Sequence, residues 1–170
     1  MPLASQVSRE FHIGSAFDVN PVVWHELLSC GITVRGTPIV ELGLVDDPVE
    51  RRRWTADNLE AYWRPWSSAV RGRGAAAVAG WSKHLSLAWG VLGAPRLHCT
   101  IASGRVISKP EAARYGLDTF DAEWHPLLLR ALEYWNGTTS PYRRSGADRR
   151  AAGAFVEMVC DHARGLPQPD

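Results

Sequence analysis

Cysteine is scarce in this sequence, and neither sign of charge is in excess. Cys30, Cys99 and Cys160 are widely spaced and have no partner at metal-ligand spacing. This pattern excludes a disulfide framework and predicts reduced, buried thiols in a cytoplasmic protein. Nineteen Lys and Arg residues against 18 Asp and Glu residues leave a net charge of +1. We therefore expect no overall electrostatic field that would attract nucleic acid or an acidic membrane surface.

Long hydrophobic runs are also missing. No segment approaches the roughly 18 uninterrupted apolar residues of a membrane span, and residues 1–15 contain no apolar stretch of signal-peptide length. We expect neither secretion nor insertion into a membrane.

What the sequence does contain is enough apolar material for a core. The chain has 170 residues, of which 45% are hydrophobic, and eight are tryptophan. Periodic apolar positions, caps and breakers predict an all-α helical bundle with a short extended lead-in at the N-terminus. We divide the chain into a lead-in at 1–17, a helical domain at 18–164 and a disordered tail at 165–170.

Several helices can be placed from their start and stop signals. Asp18 or Asn20 caps a helix that ends at Gly31, and a charged helix runs from Asp47 to about Trp63 with an arginine-rich, solvated face. Proline, serine and glycine predict a loop over residues 64–74. A long apolar helix follows at about 75–100 and contains Pro95, and further helices are expected at 108–117, 121–135 and 148–164.

The segment 95–117 is the most informative for function. Ser108 and Glu111 form an S-x-x-E capping box, which places Lys109 in the first turn of a helix. A cation is disfavoured at that end, by about 0.3–1 kcal/mol, because the helix N-terminus carries partial positive charge. A bound phosphate would reverse this penalty, and Arg96 and Arg105 lie close enough in sequence to contribute. The alternative is an exposed lysine tolerated at modest cost.

The same segment carries a family resemblance. Residues 89–117, WGVLGAPRLHCTIASGRVISKPEAARYGL, resemble the helical domain of streptomycin and spectinomycin adenylyltransferases. The stretches at 18–42, 59–66 and 123–135 are also similar to that family. The chain thus resembles the helical C-terminal half of such an enzyme.

The resemblance implies specific roles for four residues. In the family, this domain closes over MgATP and supplies an arginine and a lysine to its phosphates, which correspond to Arg96 and Lys109. The family's aminoglycoside site uses a tryptophan near the end of the preceding helix, which Trp63 resembles, and Trp66 beside it is the second residue expected to bind the drug. The family also uses acidic groups to hold the cations of the drug, whereas this sequence has no Asp or Glu between Trp63 and Glu111. Core or interface packing is the alternative role for both tryptophans.

The family's catalytic motifs are not found in this chain. A nucleotidyltransferase of this class needs a G-S-x-x-x-G loop and a D-x-D pair that holds Mg²⁺. Gly14-Ser15 is followed by Ala-Phe-Asp without a second glycine, and no Asp-x-Asp occurs. We predict no catalytic residue and no metal site here, no AMP transfer by the chain alone, and a separate catalytic domain as the partner.

Other readings remain open. The chain is alternatively a non-catalytic binding or interaction module, or a truncated remnant of a nucleotidyltransferase. His84 and His98 are interpreted as core or capping histidines, since no carboxylate or cysteine completes a metal constellation with them. The glycine-rich stretch at 72–80 lacks the G-K-[ST] ending of a phosphate-binding loop.

Overall fold

The computed structural model describes residues 4–7, 10–13, 20–72, 86–138 and 146–167. Nearly all of the elements are helical, so the predicted all-α bundle is confirmed. The chain divides into two compact units, Met1–Trp54 and Thr55–Asp170. The boundaries proposed from the sequence at 17/18 and 164/165 stay predictions.

The first unit contains a hairpin and a helix. Strands β1 (Ala4–Val7) and β2 (Glu10–Ile13) pair antiparallel, with Ala4 opposite Ile13. Helix α1 (Pro21–Cys30) begins as predicted at Asn20, whose side-chain oxygen accepts hydrogen bonds from the backbone of Val22 and Val23, both 3.1 Å long. A 3₁₀ turn, Ile39–Glu41, follows this helix.

Two predictions about side chains in this unit are wrong. Arg51 was expected on a solvated face, but it is buried and forms an ion pair with Asp46. Asp46 lies two residues before the helix that contains Arg51, Pro48–Asn58. A buried guanidinium needs a carboxylate partner of this kind. Cys30 is exposed, whereas the other two cysteines are buried.

Helix α2 (Pro48–Asn58) spans the junction of the two units. It continues through a π-helical turn, Leu59–Trp63, into α3 (Arg64–Arg71). The loop predicted over residues 64–74 is therefore wrong for 64–71. Ser67 and Val70 are buried in the bundle, and the Ser67 hydroxyl donates a 2.8 Å hydrogen bond to the Arg64 carbonyl. Packing of this face outweighs the weak helix preference of the local composition.

The remaining helices form the body of the second unit. They are α4 (Ser86–Ser103), α5 (Lys109–Thr119), α6 (His125–Trp135), which follows a 3₁₀ turn at Ala122–Trp124, and α7 (Gly146–Arg164). Helix α4 is central, because it packs against α5, α6 and α7. Pro95 was expected to kink or locally break this helix just before Arg96, but the helix runs without interruption from Ser86 to Ser103.

The core lies between α4 and its neighbours. Val91, Leu92, Leu128, Phe155 and Val156 are fully buried in one hydrophobic cluster. At about 25 cal/mol per Å² of apolar surface, side chains of this size each contribute roughly 1.5–3 kcal/mol of burial free energy. This core fixes the positions of the α4 and α5 residues on which the candidate site depends. Within the described part of the chain, no helix has the length and apolarity of a membrane span.

Candidate functional site

The N-terminus of α5 is built by a reciprocal capping box. The Ser108 hydroxyl accepts a 3.4 Å hydrogen bond from the Glu111 backbone, and the Glu111 carboxylate accepts one of 2.9 Å from the Ser108 backbone and one of 2.7 Å from its hydroxyl. The hydrogen bonds from Ser108 lower the pKa of Glu111. The predicted cap is confirmed, and Lys109 is the first residue of the helix.

Arg96 on α4 is brought to the same place. Its Nε donates a 2.6 Å hydrogen bond to the carbonyl oxygen of Ile107, two residues before Lys109. The turn between the helices is also fastened, because the Thr100 hydroxyl donates a 2.9 Å hydrogen bond to the Arg105 carbonyl. Arg96 and Lys109 are thirteen residues apart in sequence. Both therefore lie near the positive end of the α5 helix dipole.

Two indole rings flank the ammonium of Lys109. Its Nζ lies 4.4 Å from the centroid of the Trp135 ring and 5.4 Å from that of Trp89. Both distances are within the roughly 6 Å over which a cation is attracted to an aromatic face. Neither tryptophan was among the site residues predicted from the sequence. Trp89 carries a detectable signal, since it lies two helical turns before Arg96 on the same face of α4.

Trp63 and Trp66 lie against α4 at two glycines. A Cβ at Gly93 would be 2.5 Å from the Trp63 ring, and one at Gly90 would be 2.2 Å from the Trp66 ring. Trp63 is only 4% exposed, whereas Trp66 is half-buried. Trp66 is therefore partly accessible to solvent while Trp63 lies in the core, and their ring centroids are 5.8 Å apart.

Trp89 connects the two predicted pairs of site residues. Its ring stacks on Trp63 at a centroid distance of 6.0 Å and an interplanar angle of 28°, and the Lys109 ammonium lies 5.4 Å from its centroid. The rings of Trp66, Trp63 and Trp89 thus form a continuous row that ends at Lys109. No pattern in the sequence predicts that these residues are neighbours.

Glu60, the acidic residue nearest in sequence to Trp63, is paired with two arginines. Glu60 accepts hydrogen bonds from Arg64 at 2.8 Å and from Arg164 at 2.6 Å, and these partners lower its pKa, with Arg64 the larger cause. A cavity of about 200 Å³ opens beside Glu60 and has Leu59, Ile101 and Cys160 in its lining. The paired arginines neutralise Glu60, so it is not poised to hold the cation of a drug.

His98 is a core histidine, as interpreted from the sequence. It is 1% exposed, and its ring nitrogens lie 2.7 Å from the Tyr115 hydroxyl and 2.8 Å from Nδ1 of His162. Burial, with the nearby His162 as a second cause, lowers the pKa of His98 to about 4. His84 and the glycine-rich stretch at 73–80 lie outside the described residues. In the part of the chain that is described, no three His, Cys, Asp or Glu side chains are grouped as they would be to hold a metal ion.

The sequence of the helical unit matches a known family. Residues 75–162 match the family described as aminoglycoside adenylyltransferase, C-terminal domain, and this is slightly more than half of the chain. The chain belongs to this family. Comparison with curated proteins and with solved structures gives no match.

The match to the adenylyltransferase C-terminal domain family covers some of the candidate site residues and not others. Arg96 and Lys109 lie inside the matched range, together with Trp89 and Trp135. Trp63 and Trp66 precede it, so their assignment depends on the structure and on the resemblance described above.

Proposed function

We propose that this domain binds the triphosphate of a nucleotide at the N-terminus of α5 and an aminoglycoside beside Trp63 and Trp66. It would thereby form the substrate-binding half of an adenylyltransferase that transfers AMP from MgATP to a drug hydroxyl, a reaction of antibiotic resistance. The cytoplasm, where ATP is available, is the proposed location.

The phosphate site rests on one observation above the others, the Arg96–Ile107 hydrogen bond. It places a guanidinium beside a capped helix N-terminus whose first residue is a lysine. The helix dipole and two cations are complementary to a phosphate. AMP transfer is an in-line displacement in which charge is spread over phosphate oxygens, and the proposed role of Arg96 and Lys109 is to stabilise that charge.

Magnesium ligands are proposed to come from a separate catalytic domain. The residues at the α5 N-terminus fit the phosphates of MgATP, because they supply donors and positive charge. They do not fit the metal, which prefers carboxylate oxygens, and the sequence has no Asp-x-Asp. We accordingly propose that the chain alone does not transfer AMP.

For the aminoglycoside, we propose Trp66 as the contacting surface. Indole faces pack well against the apolar faces of sugar rings and attract cations such as the ammonium groups of these drugs. Trp63 would hold the Trp66 ring in place from the core, consistent with its burial against Gly93.

Calorimetric titration of the full chain with MgATP tests the phosphate site. Lys109→Ala is expected to weaken binding at least tenfold, because a hydrogen bond to a charged group contributes about 1.5–3 kcal/mol. Arg114→Ala is the matched control, since Arg114 is an exposed cation on the same helix. No binding by the wild-type chain, or equal binding by Lys109→Ala, would contradict the proposal.

Catalysis and drug binding need separate measurements. Pure chain incubated with MgATP and streptomycin is expected to yield no adenylylated drug, and its detection would refute the proposed need for a second domain. Titration with streptomycin, compared between wild type and Trp66→Ala, tests the drug surface. If the folded chain binds neither MgATP nor streptomycin, the chain is better explained as a truncated remnant of a nucleotidyltransferase.

A second candidate function, an interaction module, is favoured by one feature of the first unit. Ile32, Val34 and Val40 are more than 80% exposed, and Val45 is 75% exposed. These four lie within fourteen residues of sequence, and apolar side chains exposed on a surface can mark a protein interface. Self-association on sizing chromatography that is unaffected by nucleotide would support this alternative over ligand binding.

A further inference from the structure

The cavity of about 200 Å³ beside Glu60 has a lining drawn from four elements of the second unit. Its walls come from the end of α2, the π-helical turn Leu59–Trp63, α4 and the end of α7. None of the lining residues is among those proposed above to bind nucleotide or aminoglycoside. An inference about this cavity therefore does not depend on the proposed function.

The floor of the cavity is apolar and belongs to the core. Leu59 and Ile101 are each 1% exposed, and Cys160 is fully buried. Burial raises the pKa of the Cys160 thiol to about 11, so the thiol is neutral at physiological pH and behaves as a small apolar group. This floor suits an apolar part of a ligand.

The π-helical turn fixes one wall of the cavity. The Leu59 carbonyl accepts the backbone N–H of Arg64, which closes the turn, and it also accepts a 3.6 Å hydrogen bond from the Cys160 thiol on α7. Turns of this kind are rare and often occur at functional sites. Here the turn places Leu59 and Glu60 together in the lining of the cavity.

The size of the cavity limits its occupant. An apolar cavity of about 150 Å³ in a protein can hold a benzene molecule. A space of about 200 Å³ therefore accommodates one ring with a short substituent. It is too small for an aminoglycoside, which has several rings.

Two of the charged groups at the rim already satisfy each other. The Glu60 carboxylate accepts hydrogen bonds from Arg64 at 2.8 and 3.0 Å and from Arg164 at 3.0 and 2.6 Å. A carboxylate has about four lone-pair positions, so these four bonds saturate it. The same bonds occupy the side of the Arg164 guanidinium that faces Glu60.

Asp57 is the charged group left to a ligand. It lies one turn before Glu60 at the rim and is exposed, and no ion pair joins it to another residue in the described part of the chain. Because Glu60 and Arg164 neutralise each other, the charge that a ligand meets at the rim is negative.

We propose that this cavity binds a small organic cation, an amine carried on a single apolar ring. The ring would lie against Leu59, Ile101 and Cys160, and the ammonium would lie at the Asp57 carboxylate. Burial of the ring supplies most of the affinity, since an exposed ion pair contributes little. The charge of Asp57 selects a cation over a neutral molecule or an anion of the same shape.

An NMR titration of isotopically labelled full chain with benzylamine, benzyl alcohol and benzoate tests this proposal. Benzylamine is expected to shift the backbone amides of Leu59, Ile101 and Cys160 and to bind most tightly. Benzyl alcohol should bind about two- to fivefold more weakly, the equivalent of one exposed ion pair, and benzoate more weakly still.

Two variants with matched controls locate the ring and the ammonium. Asp57→Asn should weaken benzylamine binding about two- to fivefold and leave benzyl alcohol unchanged, whereas Asp118→Asn, at an exposed acid on α5, should alter neither. Ala56→Leu should abolish binding of both, because the larger side chain fills the cavity. Ala102→Leu adds the same side chain at an exposed position on α4 and should bind as wild type does.

Each remaining outcome overturns part or all of the proposal. Unshifted lining amides with all three probes would show that the cavity is not a ligand site. Benzoate binding as tightly as benzylamine would refute selection by Asp57. Unchanged binding by folded Ala56→Leu would place the ligand elsewhere. If Ala56→Leu does not fold, the three probes on the wild-type chain still decide, and titration with MgATP has no bearing on the result.

Discussion

The Nε of Arg96 donates a hydrogen bond to the carbonyl oxygen of Ile107 over 2.6 Å, and this contact ties α4 to the segment that leads into α5. A guanidinium suits this position because its planar set of donors can bond a carbonyl and a phosphate at the same time. The contact is the main observation behind the phosphate site proposed at the N-terminus of α5.

Arg96→Lys is expected to weaken MgATP binding about tenfold despite keeping the charge. A lysine ammonium is a point charge that cannot bond the Ile107 carbonyl in the same planar geometry, and a hydrogen bond to a charged group contributes about 1.5–3 kcal/mol. Calorimetric titration measures the change, with thermal unfolding of the same variant as the check on folding. Binding equal to that of wild type would show that only charge matters at this position.

Two substitutions of the cap residue Ser108 should separate its effect on the free energy of unfolding from the effect of local charge on MgATP binding. Ser108→Ala is expected to lower the free energy of unfolding by about 1 kcal/mol, because the Glu111 backbone loses its acceptor. Ser108→Asp retains a good cap and should unfold much as wild type does, but its negative charge should weaken MgATP binding. Urea denaturation and calorimetry measure the two effects. Normal nucleotide binding by the stable Ser108→Asp variant would argue against a phosphate at this end of α5.

Gly93→Ala is expected to destabilise the domain by about 1–3 kcal/mol, the usual cost of overpacking a core. Its Cβ would lie 2.5 Å from the Trp63 ring, so a large and rigid side chain would have to move. Gly116→Ala is the matched control, because its Cβ would lie 3.0 Å from the ends of the more flexible Leu128 side chain. Urea denaturation should show the larger loss at Gly93. A stabilised Gly93→Ala would mean that Trp63 does not pack there.

Stability should fall as the pH falls from about 6.5 to 4, in part because of His98. Its pKa is lowered to about 4 in the folded protein from an ordinary value of 6.5, so the unfolded chain binds more protons across this interval. Stability from this group is complete above pH 6.5 and is lost on acidification, with a slope of at most about 1.4 kcal/mol per pH unit for one proton.

His98→Gln tests this linkage, since glutamine does not titrate in the interval. The difference in unfolding free energy between wild type and His98→Gln should shrink as the pH is lowered from 7 to 4. Carboxylates also titrate near pH 4 and affect both proteins alike. The quantity to follow is therefore the difference in unfolding free energy between wild type and His98→Gln. His162→Gln serves as a control for the exposed partner. Parallel pH profiles for wild type and His98→Gln would show that His98 titrates normally.

Local signals explain which parts of the fold could be predicted. Asn20 and the Ser108–Glu111 pair accept hydrogen bonds from backbone N–H groups at the helix starts that have no partner within the helix. Because these residues are only a few positions apart, a short stretch of sequence is enough to predict where α1 and α5 begin. Helix α3 could not be predicted in the same way. Its proline and serines resemble a loop, and only packing of Ser67 and Val70 in the bundle makes the segment helical.

The candidate site was predicted only in part for a similar reason. Arg96 and Lys109 stood out because the lysine is unfavourable in a helix N-terminus and because of the family resemblance. The contacts of Lys109 with Trp89 and Trp135 join residues on three helices, twenty or more positions apart, and no local pattern encodes them. The burial of Trp63 likewise depends on the absence of a side chain at Gly93 on another helix.

The most direct test of the account is an NMR titration of isotopically labelled full chain with MgATP, following backbone amides and the side-chain resonances of arginine and lysine. The account predicts that the largest changes lie in the first turn of α5, at the Arg96 guanidinium and at the Lys109 side chain, and that adenosine produces much smaller changes there. Perturbations that spare this region, or equal effects from adenosine and MgATP, would contradict the assignment of the α5 N-terminus as the phosphate site.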